Sequence, residues 1–320
     1  DARLMREMAP ARPEPAADPA QREAFLAQRR ATVLDKLAVD PSLARPRPSA
    51  REAGTCKHDA LNIEKLAIVT EEGLEVAALL LRPKSGASGP VFICASGDGK
   101  PAKPDDEALP FALALAGHAV LAVDVRGVGE LDAKMGARGR VVDYDREQWA
   151  RDGYAIALAG AEKTMAGQRA LDFIGCMDYL DDREDVAGRY VLVGEGIGGL
   201  WALAAGIADE RVAGVATVGM LASYRMILDN KWNNLRDYFW VLRALEAYDL
   251  PDLPALMAPH PVALINTVDQ MLHPLPDAEA RVEFAWARMY FDAAGAGDAL
   301  SIEGDASPGR VAKMIEEMVR

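Results

Sequence analysis

Residues 191–200, with the sequence VLVGEGIGGL, decide the fold of this 320-residue chain. The stretch begins with a short apolar run, Val191–Val193, which predicts a strand that is covered on both faces. Four glycines occupy positions 194, 196, 198 and 199, and they predict a tight turn. The apolar segment that follows, up to Ala208, predicts a helix. The stretch therefore predicts a strand, a tight turn and a helix in direct succession.

Short apolar runs and helical patterns alternate on both sides of this stretch. The predicted strands cover residues 61–69, 75–81, 91–95, 119–125, 190–193, 212–221, 261–267 and 299–303. The predicted helices cover residues 19–37, 104–116, 147–165, 168–180, 199–208, 277–293 and 308–319. The first two strands form a predicted hairpin. Because helices of this length usually connect parallel strands, the pattern predicts an α/β fold with a mostly parallel central sheet and helices on both faces.

Composition divides the chain into an extension and one large domain. Residues 1–56 are rich in Ala, Arg and Pro and predict a helical, proline-rich extension. Residues 57–320 predict one α/β domain, in which the aromatic segment 222–258 is predicted to be helical and to cover the top of the sheet like a cap. A domain of about 250 residues is usual for such folds. The chain begins with Asp1 rather than Met, which predicts a processed form or a piece of a longer protein.

Charge and cysteine content narrow the class of partner. The formal net charge is −13, which argues against nucleic acid and against an anionic membrane surface, since both need a basic face. The sequence has no apolar run of the roughly 20 residues that a membrane span needs. Of the three cysteines, Cys94 is predicted in a strand, Cys176 in a helix and Cys56 in a loop. Their spacing fits no metal site, and we predict no metal or cofactor.

Ligands of parallel sheets bind at the carboxyl ends of the strands. Five residues follow predicted strands in the sequence, and we expect them to line one rim of the sheet: Ser96, Arg126, Gly196, Asp269 and Gly304. We expect Arg126 to hold the corner between its strand and the following loop through an ion pair.

The chain resembles the acetyl xylan esterase-like, prolyl-oligopeptidase-related α/β-hydrolases of bacteria over residues 60–320. Residues 191–200 match the nucleophile elbow, the strand–turn–helix that carries Gly-x-Ser-x-Gly. Four further stretches match in order: 91–99 at the oxyanion strand, the Asp-x-Arg-Gly-x-Gly turn at 124–129, the helix 167–180, and 258–261 leading to Asp269. The resemblance implies an α/β-hydrolase fold, ester hydrolysis, a carbohydrate or acyl-ester ligand, and a periplasmic or secreted location.

The same resemblance implies the positions of a Ser–Asp–His triad. The serine position falls on Gly196, the acid on Asp269, and the histidine near Asp305, but no histidine follows His273. The oxyanion donors would be backbone N–H groups of Ile197 and of the loop Ser96, Gly97 and Asp98. Acyl transfer needs a nucleophile, a base and a group that orients the base. The sequence therefore predicts a catalytically degenerate hydrolase domain with a binding or scaffold role, as part of a larger esterase or beside a partner chain.

Three alternatives remain open from the sequence. One is an active carbohydrate acetyl esterase with displaced residues, in which Ser96 or Ser307 is the nucleophile and His273 the base. Another is a sugar-binding module that uses the aromatic side chains of segment 222–258. The last is a divalent cation held by four acids expected near the rim: Glu195, Asp269, Glu303 and Asp305.

Overall fold

A nine-stranded sheet forms the centre of the computed structural model, which describes residues 10–43, 45–132, 162–186, 188–235 and 241–319. The strands are β1 (Ala50–Cys56), β2 (Leu61–Glu71), β3 (Leu74–Pro83), β4 (Val91–Ser96), β5 (Ala119–Asp124), β6 (Tyr190–Glu195), β7 (Val212–Val218), β8 (Val262–Ile265) and β9 (Leu300–Glu303). Their order in the sheet is β1-β2-β3-β5-β4-β6-β7-β8-β9. All neighbouring strands in the part β5-β4-β6-β7-β8-β9 pair in parallel. The predicted mostly parallel sheet is therefore confirmed.

Helices cover both faces of this sheet, as predicted. They are α1 (Pro19–Leu37), α2 (Leu109–Leu115), α3 (Met165–Asp181), α4 (Gly198–Ala208), α5 (Arg225–Asp229), α6 (Asp277–Glu283), α7 (Ala285–Ala293) and α8 (Pro308–Met318). One core cluster joins the sheet to α1, α3 and α4, and a second joins the opposite face to α2 and α8. Among the described residues, no helix combines the length and the apolar character that a membrane crossing needs.

Helix α1 coincides with its prediction, and its N-cap is Asp18, whose side chain accepts a hydrogen bond from the backbone N–H of Ala20 at 3.0 Å. Two buried residues of α1, Val33 and Leu37, belong to the main core cluster. The apolar face of the N-terminal segment therefore packs into the same core as α3 and α4. Whether residues 1–56 form a separate unit stays a prediction.

Several predicted elements differ from the structure. The predicted helix 104–116 begins only at Leu109, because the Asp105 side chain accepts from the backbone N–H of Glu107 and forms a local turn instead. The predicted helix 277–293 is two helices, α6 and α7, which meet at the fully buried Phe284. Residues 147–161 of the predicted helix 147–165 lie outside the described residues.

Two further predictions on loops and helices were wrong. Strand β1 was not predicted, because most of its side chains are exposed and it therefore lacks the alternating apolar pattern of a half-buried strand. Cys56 accordingly ends a strand rather than lying in a loop. The segment 222–258 was predicted to be helical, but its described part has only the five-residue α5 and three short 3₁₀ turns.

Arg126 holds the corner after β5, as expected, through a buried network. Its Nη2 donates to Asp172 Oδ1 of α3 at 2.7 Å, and its Nη1 donates to Glu71 Oε2 at 2.6 Å and to Gln168 Oε1 at 3.0 Å. Thr70 of β2 also donates to Asp172, at 2.7 Å. The side chain of Asp172 is completely buried. These bonds join β2, β5 and α3 on the side of the sheet where the antiparallel strands begin.

We predict that Asp172→Asn lowers the free energy of unfolding by about 3–5 kcal/mol, because the buried Arg126 guanidinium loses its main charge partner. Urea unfolding of the parent and the variant measures the difference. Arg51→Ala is the control, because Arg51 pairs with Glu75 on the surface and such a pair contributes only about 0–1 kcal/mol. A loss below about 1 kcal/mol for Asp172→Asn would contradict the importance of this network.

Candidate functional site

The turn between β6 and α4 is set by close contacts between backbones. A Cβ atom on Gly194 would overlap the carbonyl group of Gly198, and a Cβ on Gly198 would lie 2.5 Å from the carbonyl oxygen of Ala95 in β4. Only glycine allows these approaches. The first and third glycines of the Gly194–Gly198 pattern therefore hold α4 directly against the ends of β4 and β6.

Gly196 lies at the apex of this turn under a different constraint. Its φ of +57° is in the left-handed region that favours glycine. Its N–H donates to the carbonyl oxygen of Val218 at the end of β7, at 2.8 Å. Apart from its two chain neighbours, none of the described residues would place a heavy atom within 4 Å of a Cβ atom on Gly196. The space above the apex is thus open, and backbone conformation rather than crowding favours glycine here.

The loop after β4 lies against the turn. Ser96 is paired with Glu195 in the parallel register of β4 and β6. The N–H of Gly97 donates to the carbonyl oxygen of Glu195 at 3.2 Å, and the N–H of Asp98 donates to Ser96 Oγ at 3.2 Å. A Cβ on Gly97 would lie 2.7 Å from Cγ2 of Ile197. The structure therefore brings residues 96–98 and 195–197 together.

These contacts also decide which backbone donors are available at the turn. The N–H groups of Gly97 and Asp98, both predicted oxyanion donors, already donate within the loop. Ile197 lies at the start of α4, and within the described part of the chain its N–H has no assigned acceptor. Of the predicted donors Ile197, Gly97 and Asp98, Ile197 is the one whose N–H has no acceptor among the described residues.

Glu195 is the ionisable side chain at the base of the turn. Burial raises the pKa of its carboxyl above the ordinary value, and the nearby charge of Asp98 raises it further. From the sequence, Glu195 stands out only as a candidate metal ligand. Its burial follows from its place between β4 and β7, and that arrangement is visible only once the strand order is known.

Asp269 follows β8 and organises its own loop. Its Oδ1 accepts from the backbone N–H groups of Met271 at 2.7 Å and His273 at 2.9 Å. Its Oδ2 lies 3.5 Å from Nδ1 of His273, whose side chain is 73% exposed. One carboxylate oxygen is therefore used by the loop, and the other contacts a histidine at the surface.

Asp305 lies in the loop after β9, where its side chain is exposed. A side chain that the sequence pattern did not single out, Asn266, holds this loop. Asn266 Nδ2 donates to the carbonyl oxygen of Ala306 and Asn266 Oδ1 accepts from Ala306 N–H, both at 2.8 Å. Its φ is +50°, a conformation that Asn tolerates better than most residues. An Asn within the last two residues of the predicted strand 261–267 is the signal that could have identified it.

The carboxyl ends of the strands thus form one rim, as expected for Ser96, Arg126, Gly196, Asp269 and Gly304. The backbone continues it from the turn across the sheet, since Gly219 N–H donates to Ile265 and Val268 N–H to Met220, both at 2.9 Å. Within the described residues, however, no contact joins Asp269 or Asp305 to the turn at 195–197. The rim is shared, but the Asp269 carboxylate is held by its own loop, and Asp305 is exposed in the loop after β9.

No family model and no curated protein sequence matches this chain. Solved structures do. A Bacteroides fragilis protein assigned as an acetyl xylan esterase matches with a TM-score of 0.72 at 15% identity, over 94% of this chain and 80% of that one. The chain has the α/β-hydrolase fold. A glucuronoyl esterase from Solibacter usitatus matches at 0.64 and 16% identity, over 96% and 97% of the two chains. An acetyl xylan esterase from Paenibacillus sp. R4 matches at 0.58 and 16%, over 99% and 98%.

Within the described residues, no contact joins the displaced serines and the histidine that were considered from the sequence. Ser96 Oγ accepts from Asp98 N–H, and Ser307 is exposed at the start of α8. Neither serine has a recorded contact with His273 in the described part of the chain. The cation alternative is also not supported, because the described residues contain no group of three or more His, Cys, Asp or Glu that could hold a metal ion.

The remaining histidines are engaged elsewhere. His58 Nε2 lies 2.8 Å from Asp106 Oδ1, and the ring of His118 packs edge-on against Phe92 with centroids 4.9 Å apart. His118 and His260 precede the parallel strands β5 and β8. They therefore lie at the amino ends of the strands, on the opposite edge of the sheet from Gly196.

The aromatic residues of segment 222–258 divide into two groups. Tyr224 and Tyr248 are buried, with ring centroids 6.5 Å apart. Trp232 is 70% exposed. Its segment lies against the loop after β8, because Asn234 N–H donates to the carbonyl oxygen of Gln270 at 2.9 Å. Tyr238, Phe239 and Trp240 lie outside the described residues.

We predict that Glu195→Gln stabilises the protein at pH 7. The folded-state pKa of Glu195 is raised, so the folded state holds this proton more tightly than the unfolded chain does. Ionisation therefore costs stability as the pH rises above the unfolded-state pKa of about 4.3. The glutamine cannot ionise and avoids this cost. Thermal unfolding of parent and variant between pH 3.5 and 8 measures the difference, which should shrink towards the acidic end.

Glu246→Gln is the matched control, because the pKa of Glu246 is shifted in the opposite direction. A hydrogen bond from Arg243 lowers the pKa of Glu246, so this variant should not gain stability at neutral pH. Two results would contradict a raised pKa of Glu195 in the folded state. One is a Glu195→Gln variant that is less stable than the parent at pH 7, and the other is a stability difference between the two that is constant with pH.

Proposed function

We propose that this chain is a catalytically degenerate α/β-hydrolase domain, similar to acetyl xylan esterases, that binds a carbohydrate or acyl-ester ligand without hydrolysing it. One observation carries the proposal. The apex of the turn, where such enzymes carry their serine, is Gly196, and no histidine occurs after His273 in the whole sequence. The chain therefore lacks both a nucleophile at this turn and a histidine in the loop after the last strand.

The chemistry of acyl transfer supports this proposal. The serine route requires a hydroxyl, a base that accepts its proton and a group that orients the base. Glycine has no hydroxyl, and Asp305 in the loop after β9 is exposed and has no recorded contact with Asp269. Asp269 uses one carboxylate oxygen for its own loop. A serine placed at position 196 would thus have space, but the described residues place no histidine beside it.

What remains at the rim is suited to binding. The N–H of Ile197 at the start of α4 is available to a carbonyl or carboxylate oxygen, and the space above Gly196 is open. A helix N-terminus favours an oxygen that carries negative charge. The similar structures include acetyl xylan esterases and a glucuronoyl esterase, so acetylated xylan and glucuronoyl esters are the first ligands to test.

We predict no acetate release above buffer from acetylated xylan or from a chromogenic acetate ester. The parent, Gly196→Ser and Asp269→Ala should all be inactive, because Gly196→Ser restores a hydroxyl without a base. Unfolding curves establish that each variant is folded. Turnover by the parent that Asp269→Ala abolishes would overturn the proposal and favour an active esterase with displaced residues.

The exposure of Trp232 supports a second candidate function, sugar binding at the same rim. The indole ring is 70% exposed and lies on a segment that is hydrogen-bonded to the loop after β8. Lys231 Nζ lies 5.1 Å from the ring centroid and approaches one face of the ring. Flat aromatic faces beside a polar rim suit stacking on the apolar face of a sugar ring.

If a sugar stacks on this ring, Trp232→Ala should weaken binding of a xylo-oligosaccharide by about threefold to tenfold, the range expected for one ring contact. Isothermal titration calorimetry measures the affinity. Leu242→Ala is the control, since Leu242 is equally exposed at 71% but offers no ring. Equal affinities for the parent and Trp232→Ala would exclude Trp232 as the platform.

A further inference from the structure

A cleft of about 380 Å³ lies on the sheet away from the candidate site. Its floor is the face of β2 and β3 that carries Ile63, Ala67, Ala77 and Leu79. None of the residues 195–197, 269 or 305 lines it. Its volume is within the range of about 300–1,000 Å³ that is usual for small-molecule sites.

The cleft exists because α2 covers only part of this face. Phe111 of α2 packs with Ile63 and Leu79 in the second core cluster, but α2 begins only at Leu109. Beyond it, Ala67 and Ala77 lie opposite each other in the register of β2 and β3. Two such small side chains leave a depression, and the loop 100–104 and Leu131 form its walls.

The side chains around the cleft carry an excess of positive charge. Four cationic and two acidic residues line it: Arg51, Lys65, Lys100, Lys103, Glu75 and Glu130. Arg51 is paired with Glu75 at 2.9 Å, and the buried Lys100 is paired with Asp124 at 2.8 Å and with Glu130. Lys65 and Lys103 are exposed, and the described part of the chain shows no salt bridge to either. In a protein of net charge −13, the cleft is thus lined by a local excess of positive charge.

We propose that this cleft binds an organic carboxylate with an apolar chain of medium length. The alkyl chain of the ligand lies on the floor formed by Ala67 and Ala77, and its carboxylate faces Lys65 and Lys103. The apolar walls remove the alkyl chain of the ligand from water, and this burial is the main source of affinity. The two lysines select the anionic headgroup over a neutral one and make binding weaker at high salt. This site is independent of the function proposed for the rim.

A thiol in the cleft provides a reporter. Cys56 lines the cleft and is partly exposed. The other two cysteines in the sequence, Cys94 and Cys176, are buried, and burial raises the pKa of each thiol well above its ordinary value. Because the thiolate is the reactive form, Cys56 should be the single thiol that reacts with a disulfide reagent in the folded protein.

The test measures the reaction rate of Cys56 with such a reagent, in the native protein, over a series of decanoate concentrations. We expect decanoate to slow the reaction saturably, and decanol, which has the same chain without the charge, to protect about tenfold less well. Lys65→Gln/Lys103→Gln should raise the half-protecting decanoate concentration about tenfold. Lys57→Gln is the matched control, because Lys57 adjoins Cys56 in the chain but does not line the cleft.

Each other result overturns the proposal. Absence of protection by millimolar decanoate excludes the site. Equal protection by decanol, or an unchanged half-protecting concentration in the double lysine variant, excludes selection of the anion. Reaction of Cys94 or Cys176 in the presence of decanoate would show a detergent effect instead of binding. Cys56→Ser checks the assay, since it must abolish the reaction.

Discussion

The contact between the backbones of Gly194, Gly198 and Ala95 is the constraint on which the rest of the site depends. It presses the start of α4 against the ends of β4 and β6, so that strand, turn and helix succeed one another with a single residue at the apex. The apex must then take a positive φ, and its neighbour Ile197 must lie at the helix start. The available N–H and the open space above Gly196 both follow from this packing.

A buried network of hydrogen bonds and ion pairs joins the antiparallel part of the sheet to helix α3. Arg126 and Asp172 are buried, and their bonds reach Thr70 and Glu71 of β2. The cost of burying these charges is offset only because each is paired and hydrogen-bonded. This network fixes the position of β1–β3 relative to α3, and with it the open face of β2 and β3 that forms the cleft.

The parallel strands β4, β5, β6 and β8 could be predicted closely, because each is a mainly apolar run that is buried on both faces. Elements whose bounds depend on strand pairing or on local side-chain contacts could not be predicted in this way. Strand β1 is exposed on most of its length and exists through pairing with β2. The start of α2 is decided by the turn at Asp105, and the break at Phe284 lies inside a continuous helical pattern. At the rim, Asn266 was not identified, since its role is to join two loops that are distant in sequence.

By itself, the sequence determined the alternation of strands and helices, the glycine turn at 194–198, and the absence of a serine at the apex and of a histidine after His273. These are properties of local pattern and of composition, which need no coordinates. Only the tertiary structure decided which groups are available. It showed that Gly97 and Asp98 already donate their N–H groups, that Asp269 serves its own loop, and that the face of β2 and β3 remains open. Such features depend on strand order and on contacts between distant segments, which local sequence patterns do not encode.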